Sequence, residues 1–157
     1  MDRHEEMMLL ALKEAKKAYL LGEIPVGCVI TSSSGEVIAT GHNCPISSND
    51  PSAHAEIVAL RKAGEVLLNY RFPECSLYVT LEPCCMCVGA IVNARIGRVF
   101  YGAREPKFGA CGSVFNLIDD PCHYSHPDVR GGILNSECSS LIQEFFIMRR
   151  LQKKSHS

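Results

Sequence analysis

Two short segments hold residue types that can do chemistry together: His54-Ala55-Glu56 and, downstream, Pro83-Cys84-Cys85-Met86-Cys87. They supply one imidazole, two thiolates and one carboxylate that need not bind metal. Zinc that acts on a substrate keeps three protein ligands and leaves its fourth position to water. His54, Cys84 and Cys87 make such a set, and Glu56 is then free to move protons. Three other readings use fewer of these groups. A lone C-x-x-C serves as a redox pair, which leaves His54 and Glu56 without a part. A structural zinc site wants a fourth ligand; Cys85 is the candidate, but on a helix it faces a different side from Cys84 and Cys87. His54 as a core histidine and Glu56 as a solvated helix carboxylate are each common singly.

The spacing says what must position these groups. Asp50 and Ser52 are candidate helix caps, and Pro51 suits a first turn. His54 and Glu56 then sit at the start of a helix, where residues two apart can lean toward one site at its end. Pro83 opens a second helix, on which Cys84 and Cys87 share a face at i and i+3. Two helix N-termini meeting at one point bring partial positive charge, which favours thiolates.

The remaining chain supplies a scaffold. Residues 5–21 read as an amphipathic helix with Met8, Leu12, Ala15 and Tyr19 near the helical period, closed by Gly22. Val26–Thr31 and Val37–Gly41 read as strands joined around Ser33-Ser34-Gly35. A polar loop over 42–53 leads to a helix over His54–Ala63 that Gly64 stops. Ser76–Leu81 reads as a strand, residues 84–93 as the cysteine helix, and Arg98–Gly102 as a strand, an order that implies a parallel crossover. Residues 103–127 are irregular, and a connection of that length is often functional. A short strand near 129–133 and a last helix from about Ser136 to Leu151, burying Leu141, Ile142, Phe145 and Met148, complete the chain. The expected architecture is α/β: one three-layer domain over 1–157, with a mixed sheet of about five strands and helices on both faces.

At 157 residues the chain fits one domain with a sizeable core. Its 46% hydrophobic and 21% charged content suits a globular fold. No apolar run approaches the roughly 20 residues of a membrane span, and the acidic start Met1-Asp2-Arg3-His4-Glu5-Glu6 does not resemble a signal peptide. Nine cysteines, an odd count, with no secretion signal imply a reducing cytoplasm. Cys28, Cys75 and Cys138 fall in apolar elements and are assigned to the core. Net charge is −1, which argues against a broad nucleic-acid-binding face. Arg149, Arg150, Lys153 and Lys154 nevertheless cluster at the C-terminus. They suit either a solvated helix end or a phosphate-contacting patch.

The metal signature, H-x-E followed by P-C-x-x-C, resembles that of the cytidine and nucleotide deaminases. Longer stretches narrow the resemblance to the bacterial tRNA-specific adenosine deaminases. These are Glu23-Ile24-Pro25-Val26-Gly27, Gly41-His42-Asn43, Asp50 to Ile57, Asn69-Tyr70-Arg71, Leu77 to Cys84 and Arg95 to Val99. Phe145-Phe146-Ile147-Met148-Arg149-Arg150 is similar to that family's final helix, and the resemblance covers roughly residues 5–152. It implies a cytidine deaminase-like fold and a homodimer that converts the wobble adenosine of a tRNA anticodon loop, typically of an arginine tRNA, to inosine. It implies one zinc per subunit on His54, Cys84 and Cys87, with Glu56 as proton shuttle. Asn43 then hydrogen-bonds the flipped base, and Glu105, Lys107, Phe145 and Arg149 match positions near the substrate. The chain departs from the family at Glu105, where aspartate is usual, and over residues 120–126, which lack the family's asparagine-histidine pair.

In that reading zinc supplies an activated water. Glu56 takes a proton from it, hands one to N1 of adenine as C6 is attacked, and protonates the departing amine. One carboxyl acting as base and then acid should have a pKa near neutrality. The target base must leave its stack, which costs least in an unpaired loop. Two alternatives stay open. A deaminase of a free base or nucleoside, such as guanine or cytidine, would use the same catalytic groups. A non-catalytic zinc-stabilised RNA-binding module would not need Glu56.

Overall fold

A computed structural model describes residues 1–155; the last two residues of the expected 1–157 domain lie outside it. Its elements run α1 (Arg3–Leu20), β1 (Gly27–Thr31), β2 (Val37–His42), α2 (Pro45–Ser48), α3 (Ala55–Leu67), β3 (Ser76–Leu81), α4 (Cys85–Asn93), β4 (Arg98–Ala103), a 3₁₀ turn (Leu117–Asp119), β5 (Asp128–Arg130) and α5 (Asn135–Ser155). The five strands form one sheet in the order β2-β1-β3-β4-β5. β1 pairs antiparallel with β2 and β3, while β3, β4 and β5 run parallel. The sheet is therefore mixed, and the β3-α4-β4 unit is the expected parallel crossover.

The two-residue period of a strand sorts side chains onto two faces. Cys28, Ile30, Leu77, Val79, Val99 and Tyr101 meet α3 and α4 through Ala55, Ala59, Leu60, Ala63, Val88, Ile91 and Val92. Val29, Tyr78 and Phe100, one residue out of step, meet Met7, Met8, Ala11 and Leu12 of α1, with Ile133 and Cys138 from the α5 end. Both metal-ligand segments thus lie on one side of the sheet. Val88, Ile91 and Val92 belong to the core, not to an outward surface. Cys28, Cys75 and Cys138 are buried as assigned.

Close packing of α3 on β2 depends on Gly41. A Cβ there would stand 2.7 Å from the Ala55 carbonyl and 2.8 Å from the Ala59 amide. The absent side chain lets the first turn of α3 press against the sheet.

Several boundaries differ from the sequence reading. α3 runs through Gly64 to Leu67 and is closed by the C-cap Leu68, whose φ of 53° is left-handed. An interior glycine costs a helix only about 1 kcal/mol relative to alanine, too little to stop one packed on a sheet. The polar loop contains the short helix α2. β5 ends at Arg130, and the following Gly132 turns at a φ of 86°. On α5, Phe145 is buried, whereas Leu141, Ile142 and Met148 are only half-buried. No helix among the described residues is long and apolar enough to cross a membrane.

Candidate active site and metal centre

His54 and Cys84 occupy equivalent places. Each is the N-cap of its helix with extended backbone, φ −70° and ψ 156° for His54, φ −81° and ψ 176° for Cys84. Neither side chain caps its helix. A conventional N-cap spends its side chain on a free helix amide; here both side chains remain free to face each other. Cys87, one turn into α4, is fully buried.

The expected caps of α3 take other work. Asp50 accepts from the amide and hydroxyl of Ser52 at 2.9 and 2.7 Å, which hold its carboxyl below the usual range. The amide of Ala55 instead donates to Asn43 Oδ1 at 3.0 Å. Asn43 reaches across from the loop after β2, so the cap is tertiary. It commits the carbonyl of a side chain that is 8% exposed. Asn43 keeps both N–H donors of its amide for a substrate.

His54 Nδ1 lies 3.6 Å from Cys84 Sγ and 3.5 Å from Cys87 Sγ. All three donor atoms fall within 4.8 Å of one another. Tetrahedral zinc with its usual Zn–N and Zn–S bonds would separate nitrogen from sulfur by about 3.6 Å. The donor set therefore fits zinc in both chemistry and spacing. Cys85 is exposed and outside the cluster, so the four-ligand structural site does not assemble. Among the described residues this is the only group of three or more such donors; His42, His123 and His126 form no second one.

The electrostatics match a thiolate site. A hydrogen bond from Cys87, with a further one from His54, pulls the Cys84 thiol down to about 4. Cys87, which gives that hydrogen bond and is buried, is pushed up. His54 is raised, chiefly by its hydrogen bond to Cys84. Glu56 is 4% exposed. Burial pushes its carboxyl up to about 7; the charge of Cys84 adds to this, while its own backbone amide, His54 and Cys87 oppose it. A carboxyl near neutrality beside a metal site is equipped to accept a proton and return it.

The remaining candidates lie on two elements bordering one cleft. Glu105 accepts from the amide of Lys107 at 2.9 Å, and the exposed Lys107 lines a surface cleft with Phe146, Arg149, Arg150 and Lys153 of α5. Arg149 donates to the carbonyl of Gly22, and its guanidinium stands 5.1 Å from the Phe145 ring. Phe145 is 2% exposed and meets Tyr19 edge-on at 5.8 Å. The fold thus uses the Phe145 ring for packing, and Phe146, 44% exposed, is the open aromatic of that turn.

Sequence reasoning passed over Glu82 and Glu23, which are 2% and 1% exposed. Glu23 accepts from the amides of Ile46 and Ser47 and from the Ser47 hydroxyl, at 3.3, 2.7 and 2.9 Å, and so holds α2 beside Asn43. The available signal was a glutamate placed between an apolar strand and the Pro83-Cys84 step.

A part-buried His-Cys-Cys donor set with a sealed glutamate, on two helices backed by a mixed sheet, defines a zinc-dependent deaminase site. The cytidine and deoxycytidylate deaminase zinc-binding region matches residues 1–103. The tRNA-specific adenosine deaminase of Haemophilus influenzae is 47% identical over 150 residues, covering 96% of this chain and 87% of its own. A solved structure from a study of A-to-I editing by tRNA:A34 deaminases at the wobble position superposes with a TM-score of 0.84. It is 44% identical and covers 87% of this chain and 98% of that one. A guanine deaminase from Bacillus subtilis is 39% identical, with a TM-score of 0.64, over 80% of this chain and 83% of its own. The chain belongs to the tRNA-specific adenosine deaminases, within the cytidine and deoxycytidylate deaminase family.

Proposed function

We propose that the protein hydrolyses the wobble adenosine of a tRNA anticodon loop, probed best with an arginine tRNA, to inosine and ammonia. The observation that carries this reading is Glu56, sealed beside a three-donor cluster that leaves a fourth metal position open. His54, Cys84 and Cys87 would hold zinc, which would supply a water acidic enough to react at neutral pH. Glu56 would accept one proton from water and deliver it to adenine N1 as C6 becomes tetrahedral, then take the proton left on the new C6 hydroxyl and pass it to the exocyclic amine, which leaves as ammonia. Asn43, its carbonyl held by Ala55, donates to an acceptor nitrogen of the extruded base. Glu105 and Lys107, with the α5 face around Arg149, take the flanking nucleotides.

The active species in this proposal is a cytoplasmic homodimer of one domain per chain, residues 1–157. In support, α3 and α4 leave an outward cleft lined by Ile57, Leu60, Tyr70, Met86 and Ala90, and Tyr70 and Met86 are 69% and 41% exposed. Sedimentation of the zinc-loaded protein tests it: a single 17.2 kDa species would remove the dimer.

The likeness to a guanine deaminase keeps one second reading in play, since the catalytic groups are shared. Zinc-loaded protein is given an arginine tRNA anticodon stem-loop with adenosine at the wobble position, and in parallel free adenosine, cytidine and guanine. Inosine at that one position with the free compounds untouched establishes the tRNA reading. Ammonia from guanine alone moves the activity to the free base.

A further inference from the structure

Glu82 lies between β3 and the ligand Cys84. One of its carboxylate oxygens accepts from the amide of Glu105 at 3.1 Å and from the hydroxyl of Ser113. The other accepts from the amides of Cys111 and Ser113 at 2.9 and 3.1 Å. A carboxylate offers about four lone-pair sites, and these four donors fill them. The next carbonyl along, that of Pro83, takes the amide of Ala110 at 2.9 Å. Residues 105–113 therefore hang from two consecutive residues that lead directly into Cys84.

The loop is packed tightly onto this support. A Cβ on Gly109 would stand 2.5 Å from the Glu82 carboxyl carbon. The Cys111 thiol on this loop is pushed up to about 12, first by burial and then by the charges of Glu82 and Glu56. The loop's other end displays Lys107 on the basic cleft beside α5. A buried carboxylate is costly unless its hydrogen bonds are filled. Here one such group, rigidly joined to the metal segment, sets the position of four loop atoms.

We propose that Glu82 is a positioning residue for the reaction: by clasping loop 105–113 it holds Glu105 and Lys107 in register with the metal ligands and so sets substrate binding. This rests on the reading above, in which RNA crosses that loop. Glu82→Gln keeps the shape but turns two N–H donors toward the donors of the loop. The experiment measures kcat and KM on the anticodon stem-loop for wild type, E82Q, K107A and the double variant, with zinc content and amide exchange. The expected result is full zinc, unchanged kcat and a KM raised about tenfold, the rise shrinking when Lys107 is already alanine. If E82Q does not fold, S113A removes a single donor and raises KM about threefold with the same coupling. Zinc loss, a defect in kcat alone, or effects of E82Q and K107A that simply multiply would overturn the proposal. A wild type inactive on RNA would overturn the functional reading instead. Exchange then decides: faster amides at 105, 111 and 113 with zinc retained support the clasp, and unchanged amides remove it.

Discussion

Glu56 stands two residues after His54 and Glu82 two residues before Cys84, two members of the candidate metal cluster. They are almost equally buried, at 4% and 2% exposed, yet their surroundings are opposite. Glu82 meets four donors from one loop. Glu56 meets thiols and an imidazole, and burial drives its carboxyl up to about 7. Burial alone therefore says little about what a glutamate does here. A carboxylate whose lone pairs are filled by a loop is an anchor, and one left among titrating groups can carry protons.

Breaking the metal site should have the largest effect. Cys87→Ala removes a ligand, so zinc content and turnover should both be lost, whereas Glu56→Gln should keep zinc. Turnover in E56Q should fall about 10³–10⁴-fold, because one group serves as base and then acid; metal analysis beside a single-turnover assay separates the two variants. The pH profile sharpens the point. Glu56 must be ionised to accept a proton, so kcat/KM should fall tenfold per pH unit on the acid side. Zinc's charge favours the carboxylate, so that limb should lie below the value of about 7 that holds without metal.

Stability separates the two glutamates a second way. The folded pKa of Glu56 lies above its ordinary 4.5, so the metal-free native state binds more protons than the unfolded chain between about 4.5 and about 7. Stability falls as pH rises through that window, and E56Q should gain over wild type across it in urea melts of metal-free protein. E82Q strands buried donors and should cost roughly 2–3 kcal/mol. Asn43→Ala removes the tertiary cap of α3 and should cost about 1 kcal/mol, with a raised KM if its amide also meets the base. The smallest effect belongs to Glu14 on the far face. Although burial works against it, hydrogen bonds from Lys17, Thr40 and His42 hold its carboxyl below the usual value. That stabilisation is present above the unfolded pKa and lost as pH falls through the folded one. Glu14→Gln should therefore cost about 0.5–1 kcal/mol at neutral pH, as suits a pair whose lysine is largely exposed, and less in acid; melts at two pH values check it.

The His54, Cys84 and Cys87 cluster was readable because its geometry is largely local. Cys84 and Cys87 share a helical face by spacing alone, and a proline and a polar loop announce where the helices begin. The sheet was readable because apolar runs of strand length mark β1, β3 and β4; the structure then sorts one set of side chains toward α3 and α4 and the other toward α1. The cap of α3 was misplaced because Asp50 and Ser52 are the nearest candidates in the chain, while the residue that bonds Ala55 is Asn43, twelve positions back. The helical period marks Phe145 as a buried residue and the family resemblance as one near the substrate; it is buried against Tyr19, and the neighbouring Phe146 faces outward.

By itself, then, the amino-acid order determined the donor types of the His54, Cys84 and Cys87 cluster, the glutamate two residues from it and the placing of two helices on one side of a mixed sheet, since each depends on contacts within a few residues. Only the tertiary structure decided which buried glutamates are anchors, which asparagine caps the catalytic helix and which aromatic stays open. Those outcomes depend on donors 23 to 31 positions away for Glu82 and on packing between α1 and α5. A hydrogen bond depends on distance in space, and chain spacing reports that distance only inside a single turn or strand.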